Sequence, residues 1–355
     1  MFIQQLQLIN FKNHEKKSFS FDKKFNCFTG LNGVGKTNIL DAIYFMCIGK
    51  SYFTSADKNC MKFDEFFFRL SSTFKIEDNE DQIVVKFEKG KRKKIELNEA
   101  PVVKLADYVG RYPVVIVAPD DNVLILGASD ERRKFIDQTL SQADNAYLKA
   151  LTIYQKVLSQ RNALLKNAEK KGLDKSLLEV YNTQLIPLGE SIFSKRKAFV
   201  KEIEPYFNAI YKAISKGKEL FVLNYKSHLL EEKFSDLLNG SFQKDLILQR
   251  TTKGIHRDDI IFSMNNEALK TFGSQGQQKT FLLALKLAQY EFLKKQKGID
   301  PIFLIDDMFD KLDSERGSNL LSYIANSINQ VFLTHTNKSD LEPMIKDQNY
   351  VIFEI

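Results

Sequence analysis

The sequence predicts an α/β fold in which a phosphate-binding core is joined to an antiparallel β subdomain and interrupted by a helical insertion. A glycine-rich loop lies between a short apolar run and an amphipathic segment, the strand–loop–helix order of a phosphate-binding core. Alternating Phe, Ile and Val residues at 63–97 indicate antiparallel strands. Residues 130–216 carry almost no strand signal. We therefore expect a head formed by residues 1–126 and 217–355, with a helical arm inserted at 127–216.

The glycine-rich loop has the pattern G-x-x-x-x-G-K-T and is followed by a helix predicted over 38–48. Backbone N–H groups of such a loop surround phosphate oxygens, and the helix that follows directs its positive end at the same anion. Lys36 is expected on the β- and γ-phosphates and Thr37 on Mg²⁺. A glycine turn with a surface lysine is the disfavoured alternative. The predicted ATP-binding residues are Gly30, Leu31, Asn32, Gly33, Val34, Gly35, Lys36, Thr37 and Asn38.

The segments on either side of the loop predict strands. Residues 2–11 alternate apolar and polar side chains, and 25–28 lead directly into the loop. The β subdomain at 63–97 contains a basic turn at 89–94, which is either a solvated turn or a DNA contact.

The segment 130–216 predicts two long antiparallel helices joined by a turn at 169–174. Apolar residues recur at steps of four and three, in narrow seams that favour a projecting arm over a helical subdomain packed on the core. The first seam contains Tyr147, Leu151, Tyr154, Leu158 and Leu165, and the second contains Leu178, Tyr181, Leu185, Leu188, Ile192, Phe199, Ile203, Tyr206 and Ile210. The segment has 16 basic and 10 acidic residues, so it holds nearly all of the chain's net charge of +7. Such an imbalance is typical of an arm that grips DNA, although lysine-rich helices are often only solvated.

The C-terminal part returns to strands at 220–223 and 260–262, followed by a helix predicted over 280–295. An apolar strand then ends in Asp306 and Asp307. Asp306 is expected to hold Mg²⁺, and Asp307 to orient the water that attacks the γ-phosphate. The alternative for this pair is that the two aspartates end the strand only as caps of the following helix. Further elements are predicted as a helix at 314–327 and strands at 331–336 and 350–353.

Composition restricts the class of protein. Apolar residues make up 43% and charged residues 27%, as in globular proteins, and the positive net charge favours an anionic partner such as nucleic acid. The cysteines Cys27, Cys47 and Cys60 have no metal-ligand spacing and predict reduced, buried thiols. The sequence contains no run of about 18 apolar residues and no signal-peptide pattern, so we expect a cytoplasmic protein without a membrane contact.

The segment Ser274-Gln275-Gly276-Gln277 resembles the signature of ABC-type ATPases, usually S-G-G-Q, with a departure at Gln275. The resemblance implies an ABC-type ATPase head with a mixed sheet, in which Ser274, Gly276 and Gln277 contact the γ-phosphate held by the loop of a second copy. Asp313 resembles the D-loop residue at that interface, and His335 resembles the switch histidine that senses the γ-phosphate. Without this order of motifs, His335 would be read as a core histidine. The resemblance thus implies an ATP-dependent homodimer, and the Mg²⁺-sensing glutamine is left unassigned.

Over essentially its whole length the chain resembles the RecF family, bacterial recombination mediators of the SMC/ABC-type ATPase superfamily. The matching segments are LINFKN (8–13), KTNILDAIY (36–44), GKSYF (49–53), APDD (118–121), RRKFID (132–137), LSQRN (158–162), GIHRDD (254–259) and DDMF (306–309). The resemblance implies an ATP-binding, weakly hydrolysing protein that clamps DNA near single-strand/double-strand junctions. It also implies partner mediators, loading of recombinase at gaps, and a part in replication, repair and the SOS response. In GIHRDD, residues 257–259 are either an interfacial ion-pair cluster or a turn that holds two strands together by salt bridges.

Two other functions stay open on the sequence. One is an ABC-type ATPase subunit with a protein partner and no DNA role. The other is a chromosome-organising clamp that is indifferent to gaps in the DNA.

Overall fold

The structure is a computed structural model that describes residues 1–217, 219–307 and 314–355. The strands are β1 (Phe2–Phe11), β2 (His14–Ser20), β3 (Phe25–Thr29), β4 (Phe67–Ile76), β5 (Asn79–Glu88), β6 (Lys94–Leu97), β7 (Ala100–Pro101), β8 (Val114–Val117), β9 (Phe221–Lys226), β10 (Asp259–Met264), β11 (Glu267–Ala268), β12 (Ile302–Ile305), β13 (Val331–His335) and β14 (Tyr350–Glu354). The α-helices are α1 (Lys36–Ile48), α2 (Leu105–Tyr108), α3 (Val123–Leu126), α4 (Ser129–Ala143), α5 (Asn145–Lys171), α6 (Lys175–Ser215), α7 (Phe234–Gly240), α8 (Phe242–Ile247), α9 (Leu269–Phe272), α10 (Gln275–Lys297), α11 (Ser314–Ser327) and α12 (Lys338–Ile345).

A parallel sheet of five strands carries the phosphate-binding loop. Its order is β14-β3-β13-β12-β8, and every neighbouring pair is parallel. Strands β3, β8, β12 and β13 are buried along their whole length, which explains why their sequences are mostly apolar. The carboxyl ends of parallel strands lie at one edge of a sheet, so the ends of β3, β13 and β12 are neighbours.

An antiparallel sheet of six strands confirms the β subdomain. Its order is β2-β1-β4-β5-β6-β7, and buried and exposed residues alternate along β4 and β5. The core beneath it contains aromatic side chains from both sheets, as where Phe19 of β2 packs against Phe28 of β3 with ring centroids 5.4 Å apart. This core also contains the apolar face of α1.

Contacts divide the chain into two compact units. The first unit contains Met1–Asn122, Tyr206–Lys218 and Gln275–Ile355, and the second contains Val123–Pro205 and Glu219–Ser274. The sequence analysis assigned residues 219–274 to the C-terminal half of the head, whereas here they group with α4, α5 and most of α6. This grouping is explained by ion pairs, because carboxylates in 245–259 bind arginines of those helices.

The second unit contains α5 and the part of α6 up to Pro205, which is most of the predicted pair of long helices. The apolar seams are mostly buried, although Leu158, Tyr181, Leu188 and Tyr206 are only half-buried. Within this unit α5 also packs against α8, and β9, β10 and β11 form a three-stranded sheet.

All three cysteines are free and buried, as predicted. Burial raises the pKa of the Cys60 thiol to about 11 and that of Cys27 to about 12. Among the described residues, no helix is both long enough and apolar enough to cross a membrane.

Candidate functional site

The phosphate-binding loop is shaped by glycines that adopt backbone angles unfavourable for other residues. Gly33 and Gly35 have φ of 87° and 106°, in the left-handed region. At Gly35 a side chain would also collide with the turn between β1 and β2, because its Cβ would lie 2.6 Å from His14 Nε2. Helix α1 begins directly after this glycine, so its unpaired N–H groups face the loop.

Two residues of the β1–β2 turn hold the loop from behind. The Asn13 side-chain amide donates to the carbonyl of Val34 at 2.9 Å, and Asn38 donates to Asn13 Oδ1 at 2.8 Å. His14 Nε2 lies 3.0 Å from the carbonyl of Gly35, so this nitrogen carries the proton and donates. Burial lowers the pKa of His14, which keeps the ring neutral near pH 7. The sequence analysis missed this support, for which a polar turn preceding the loop was the available signal.

Lys36 is the first residue of α1, and its ammonium group lies inside the loop. Its Nζ donates to the carbonyl oxygens of Gly30 at 2.6 Å and Leu31 at 3.1 Å. The side chain is buried, so this positive charge is only weakly screened by solvent. It is therefore placed to attract an anion that enters the loop.

Thr37 and Asp306, which are 269 positions apart in sequence, meet directly. The Thr37 hydroxyl lies 2.8 Å and 3.0 Å from the two oxygens of Asp306. Burial raises the pKa of Asp306, while hydrogen bonds from Thr37 and Thr334 oppose that rise. A hydroxyl and a carboxylate side by side are hard oxygen donors of the kind that Mg²⁺ prefers, so these residues fit the ion.

Asp307 lies at the mouth of the same site. With Asn32, Gly33, Gly35, Lys36, Thr37 and Asn38 it lines a cleft of about 210 Å³. Its backbone is in the left-handed region at φ 42°, which is costly for a non-glycine residue. Its N–H donates to the Thr334 hydroxyl oxygen at 2.9 Å, a bond that holds this conformation.

Thr334 is a second residue that the sequence analysis missed. Its hydroxyl donates to Asp306 Oδ1 at 2.8 Å and lies 3.2 Å from Asp307 Oδ1. The residue is the last but one of β13, which separates the loop strand β3 from the acidic strand β12. A threonine at the carboxyl end of a buried strand was the only signal in the sequence.

His335 follows at the end of β13 and is buried. It is paired in register with Thr29, the residue before the loop. Its Nδ1 accepts the N–H of Asn337 at 3.0 Å, so the neutral ring carries its proton on Nε2. The predicted switch histidine is thus beside the start of the loop.

The signature segment lies at the start of α10. This helix begins at Gln275, five residues earlier than predicted, so Gly276 and Gln277 belong to its first turn and the exposed Ser274 precedes it. Within this part of the helix the Thr280 hydroxyl donates to the Gly276 carbonyl at 2.9 Å. A Cβ on Gly276 would lie 3.0 Å from Arg316 Nη1, a close contact that a small shift of this side chain would relieve. Ser274 belongs to the second unit, and Asp313 lies outside the described residues.

The carboxylates of GIHRDD form ion pairs inside the second unit. Asp258 bonds Arg196 at 2.9 Å and Asp259 bonds Arg132 at 2.7 Å, whereas Arg257 is exposed. These ion pairs join the two carboxylates to helices α6 and α4 of the same chain, rather than holding two strands together. Arg161 is also fully buried against Asp245, so several arginines of the predicted basic arm are neutralised internally.

A glycine loop on a parallel strand, a neighbouring acidic strand and a signature-like helix start define the head of an ABC-type ATPase. An Smc head domain from Pyrococcus furiosus shares this fold, with a TM-score of 0.57 at 20% identity over 99% of this chain and 93% of that chain.

The comparisons narrow the class to one family. A family model described as RecF/RecN/SMC N terminal domain matches residues 2–354. DNA replication and repair protein RecF of Flavobacterium johnsoniae is 44% identical over the full length of both chains, and that of Cytophaga hutchinsonii is 40% identical over 100% of this chain and 92% of its own. A solved structure of the recombination mediator protein RecF with ATPrS has a TM-score of 0.90 at 29% identity, covering 100% of this chain and 96% of that one. The chain belongs to the RecF family.

Proposed function

We propose that this protein is an ATP-dependent DNA-binding protein of replication and recombinational gap repair. The observation that carries the proposal is the cleft in which Lys36, Thr37 and Asp307 meet, with Asp306 bonded to Thr37. Full-length relatives named as DNA replication and repair proteins, and a solved RecF–ATP structure at 30% identity, support the choice of nucleotide and process.

The residues of the cleft divide the work of binding and hydrolysis. The loop N–H groups and Lys36 bind the phosphates. Thr37 and Asp306 would hold Mg²⁺, which would neutralise negative charge on the phosphate oxygens. Asp307 accepts a hydrogen bond from the attacking water and orients it. The Nε2–H of His335 donates toward the γ-phosphate.

The site is completed by a second copy of the chain. Ser274, Gly276 and Gln277 at the start of α10, with Asp313, contact the γ-phosphate bound to the partner's loop. These contacts exist only in the closed dimer, so ATP shifts the equilibrium between monomer and dimer. The closed dimer clamps DNA near a junction of single and double strands, where mediator proteins and recombinase assemble. Slow hydrolysis reopens it.

The test is DNA binding with ATP, ADP or no nucleotide, with the mass of the protein measured in parallel. We expect salt-sensitive binding and a dimer only with ATP. Lys36→Ala should lose both the DNA binding and the dimer, whereas Asp307→Asn should still bind ATP and should remain dimeric. A dimer that forms equally well without ATP would refute the mechanism, and equal affinity for gapped and blunt duplexes would favour a chromosome-organising clamp.

A further inference from the structure

An exposed patch on the six-stranded sheet combines aromatic rings with unpaired positive charges. We define the aromatic–basic patch as Phe66, Phe67, Lys89, Arg92 and Lys94, all in the first unit. Phe66 is 69% and Phe67 44% exposed, although neighbouring Phe68 is completely buried. Adjacent exposed large apolar side chains that are flanked by charged residues are typical of an interaction site.

The backbone places the rings beside the basic turn. The N–H of Lys89 donates to the carbonyl of Phe66 at 2.9 Å, and Phe67 is paired in register with Glu88. Phe67, Arg92 and Lys94 line one cleft of about 360 Å³. That volume is at the lower end of the range for small-ligand sites and admits a flat ring.

Within the described residues, no carboxylate compensates the charge of the patch. In the turn, Lys91 pairs with Glu88 at 2.8 Å and Lys93 with Asp57 at 2.8 Å. Lys89, Arg92 and Lys94 are exposed and form no ion pair with any carboxylate in the described part of the chain. Three free cations beside two open rings are complementary to a ligand that has both anionic groups and flat apolar faces.

We propose that the aromatic–basic patch binds an unpaired DNA strand. Bases stack on Phe66 and Phe67, and the phosphates lie against Lys89, Arg92 and Lys94. A duplex hides its base faces, so it could use the cations but not the rings. An apolar protein partner would have to desolvate three charges without compensation. The inference rests on the proposed DNA function and adds to it the surface that recognises the single strand; it shares no residue with the nucleotide site.

The chain contains no tryptophan, so one introduced tryptophan reports on the patch without background. Phe67→Trp should lose most of its fluorescence when titrated with oligothymidylate, because a stacked base quenches the indole. The matched control is Val103→Trp, since Val103 is 89% exposed in the same unit but outside the patch. Quenching absent at position 67, or equal at both positions, would overturn the proposal.

Affinity measurements separate this inference from the proposed function. Phe66→Ala/Phe67→Ala should weaken binding to gapped DNA about 10-fold or more and leave binding to blunt duplex unchanged. Lys89→Ala/Arg92→Ala should lower the salt slope for gapped DNA by about 1.4, which is about 0.7 for each lost phosphate contact on a single strand, whereas the control Lys104→Ala/Lys346→Ala should not. Unchanged thermal melting would show that each variant folds.

The outcomes are distinct. Wild-type protein without ATP-dependent DNA binding would refute the proposed function itself. If duplex binding is normal but wild type and the Phe66→Ala/Phe67→Ala variant bind gapped DNA equally well, only the proposal for the aromatic–basic patch is overturned. Quenching of Phe67→Trp by oligoglutamate as strong as that by oligothymidylate would assign the patch to an acidic peptide and also overturn it.

Discussion

Replacing Thr334 by valine tests whether one hydroxyl organises both acidic residues of the nucleotide site. Valine has nearly the same shape, so the buried end of β13 keeps its packing and loses only its hydrogen bonds. The hydroxyl donates to Asp306 at 2.8 Å and accepts from the N–H of Asp307 at 2.9 Å. Its single proton can serve only one carboxylate at a time, and the shorter bond is to Asp306.

The expected cost follows from these two bonds. A hydrogen bond to a charged acceptor contributes about 1.5–3 kcal/mol, and a buried N–H left without a partner costs about 1–3 kcal/mol. We therefore expect Thr334→Val to lower the free energy of unfolding of the first unit by about 3 kcal/mol. Because Asp307 would lose the bond that holds its left-handed backbone, ATP hydrolysis should fall about 10- to 100-fold. ATP affinity should change little, since Lys36 and the glycine loop are untouched.

The assay combines single-turnover ATP hydrolysis, titration with a fluorescent ATP analogue and calorimetric unfolding. Thr334→Ser is the matched control, because it restores the hydroxyl and removes only a methyl group. Hydrolysis and stability equal to wild type in Thr334→Val would refute the assigned role. A loss of ATP binding as large as the loss of hydrolysis would show that the loop, rather than Asp307, depends on this residue.

Other perturbations test the loop and the second unit. Burial lowers the pKa of His256 to about 4, so between pH 6.5 and 4 the unfolded state binds more protons than the folded state. Stability should therefore fall by up to about 3 kcal/mol as the pH drops through this window, and His256→Asn should flatten the dependence in denaturant titrations. Arg196→Met should lower the free energy of unfolding, measured by calorimetry, by about 3–5 kcal/mol, because Asp137 and Asp258 would lose their ion-pair partner. The double variant Arg196→Met/Asp258→Asn should recover part of this loss. A loss below about 1 kcal/mol would contradict the proposed ion-pair network. Gly35→Ala should weaken ATP binding more than Gly33→Ala, because a Cβ at position 35 would collide with His14, whereas a Cβ at position 33 meets nothing within 4 Å. Equal losses of ATP affinity in the two variants would show that backbone strain alone is the cause.

The elements with strong local patterns were predicted well. Strands β3, β12 and β13 were predicted as short, mostly apolar segments, and helix α11 was placed at its observed bounds. The start of α10 was predicted too late, because the polar segment from Gln275 lacks an apolar stripe. The grouping of residues 219–274 with the helices was not foreseen, since it depends on ion pairs such as Asp245 with Arg161, which are 84 positions apart.

The sequence alone determined the chemistry of the site. Eight consecutive residues specify the phosphate-binding loop, and two aspartates after an apolar strand specify its acidic partner, because each signal is contained in one local segment. Only the tertiary structure decided how these parts are held. Thr334 links Asp306 to Asp307, and Asn13 and His14 fix the loop, because parallel strands and a turn bring distant segments to one sheet edge. Such contacts leave no periodic trace in the sequence, since each residue contributes a single side chain.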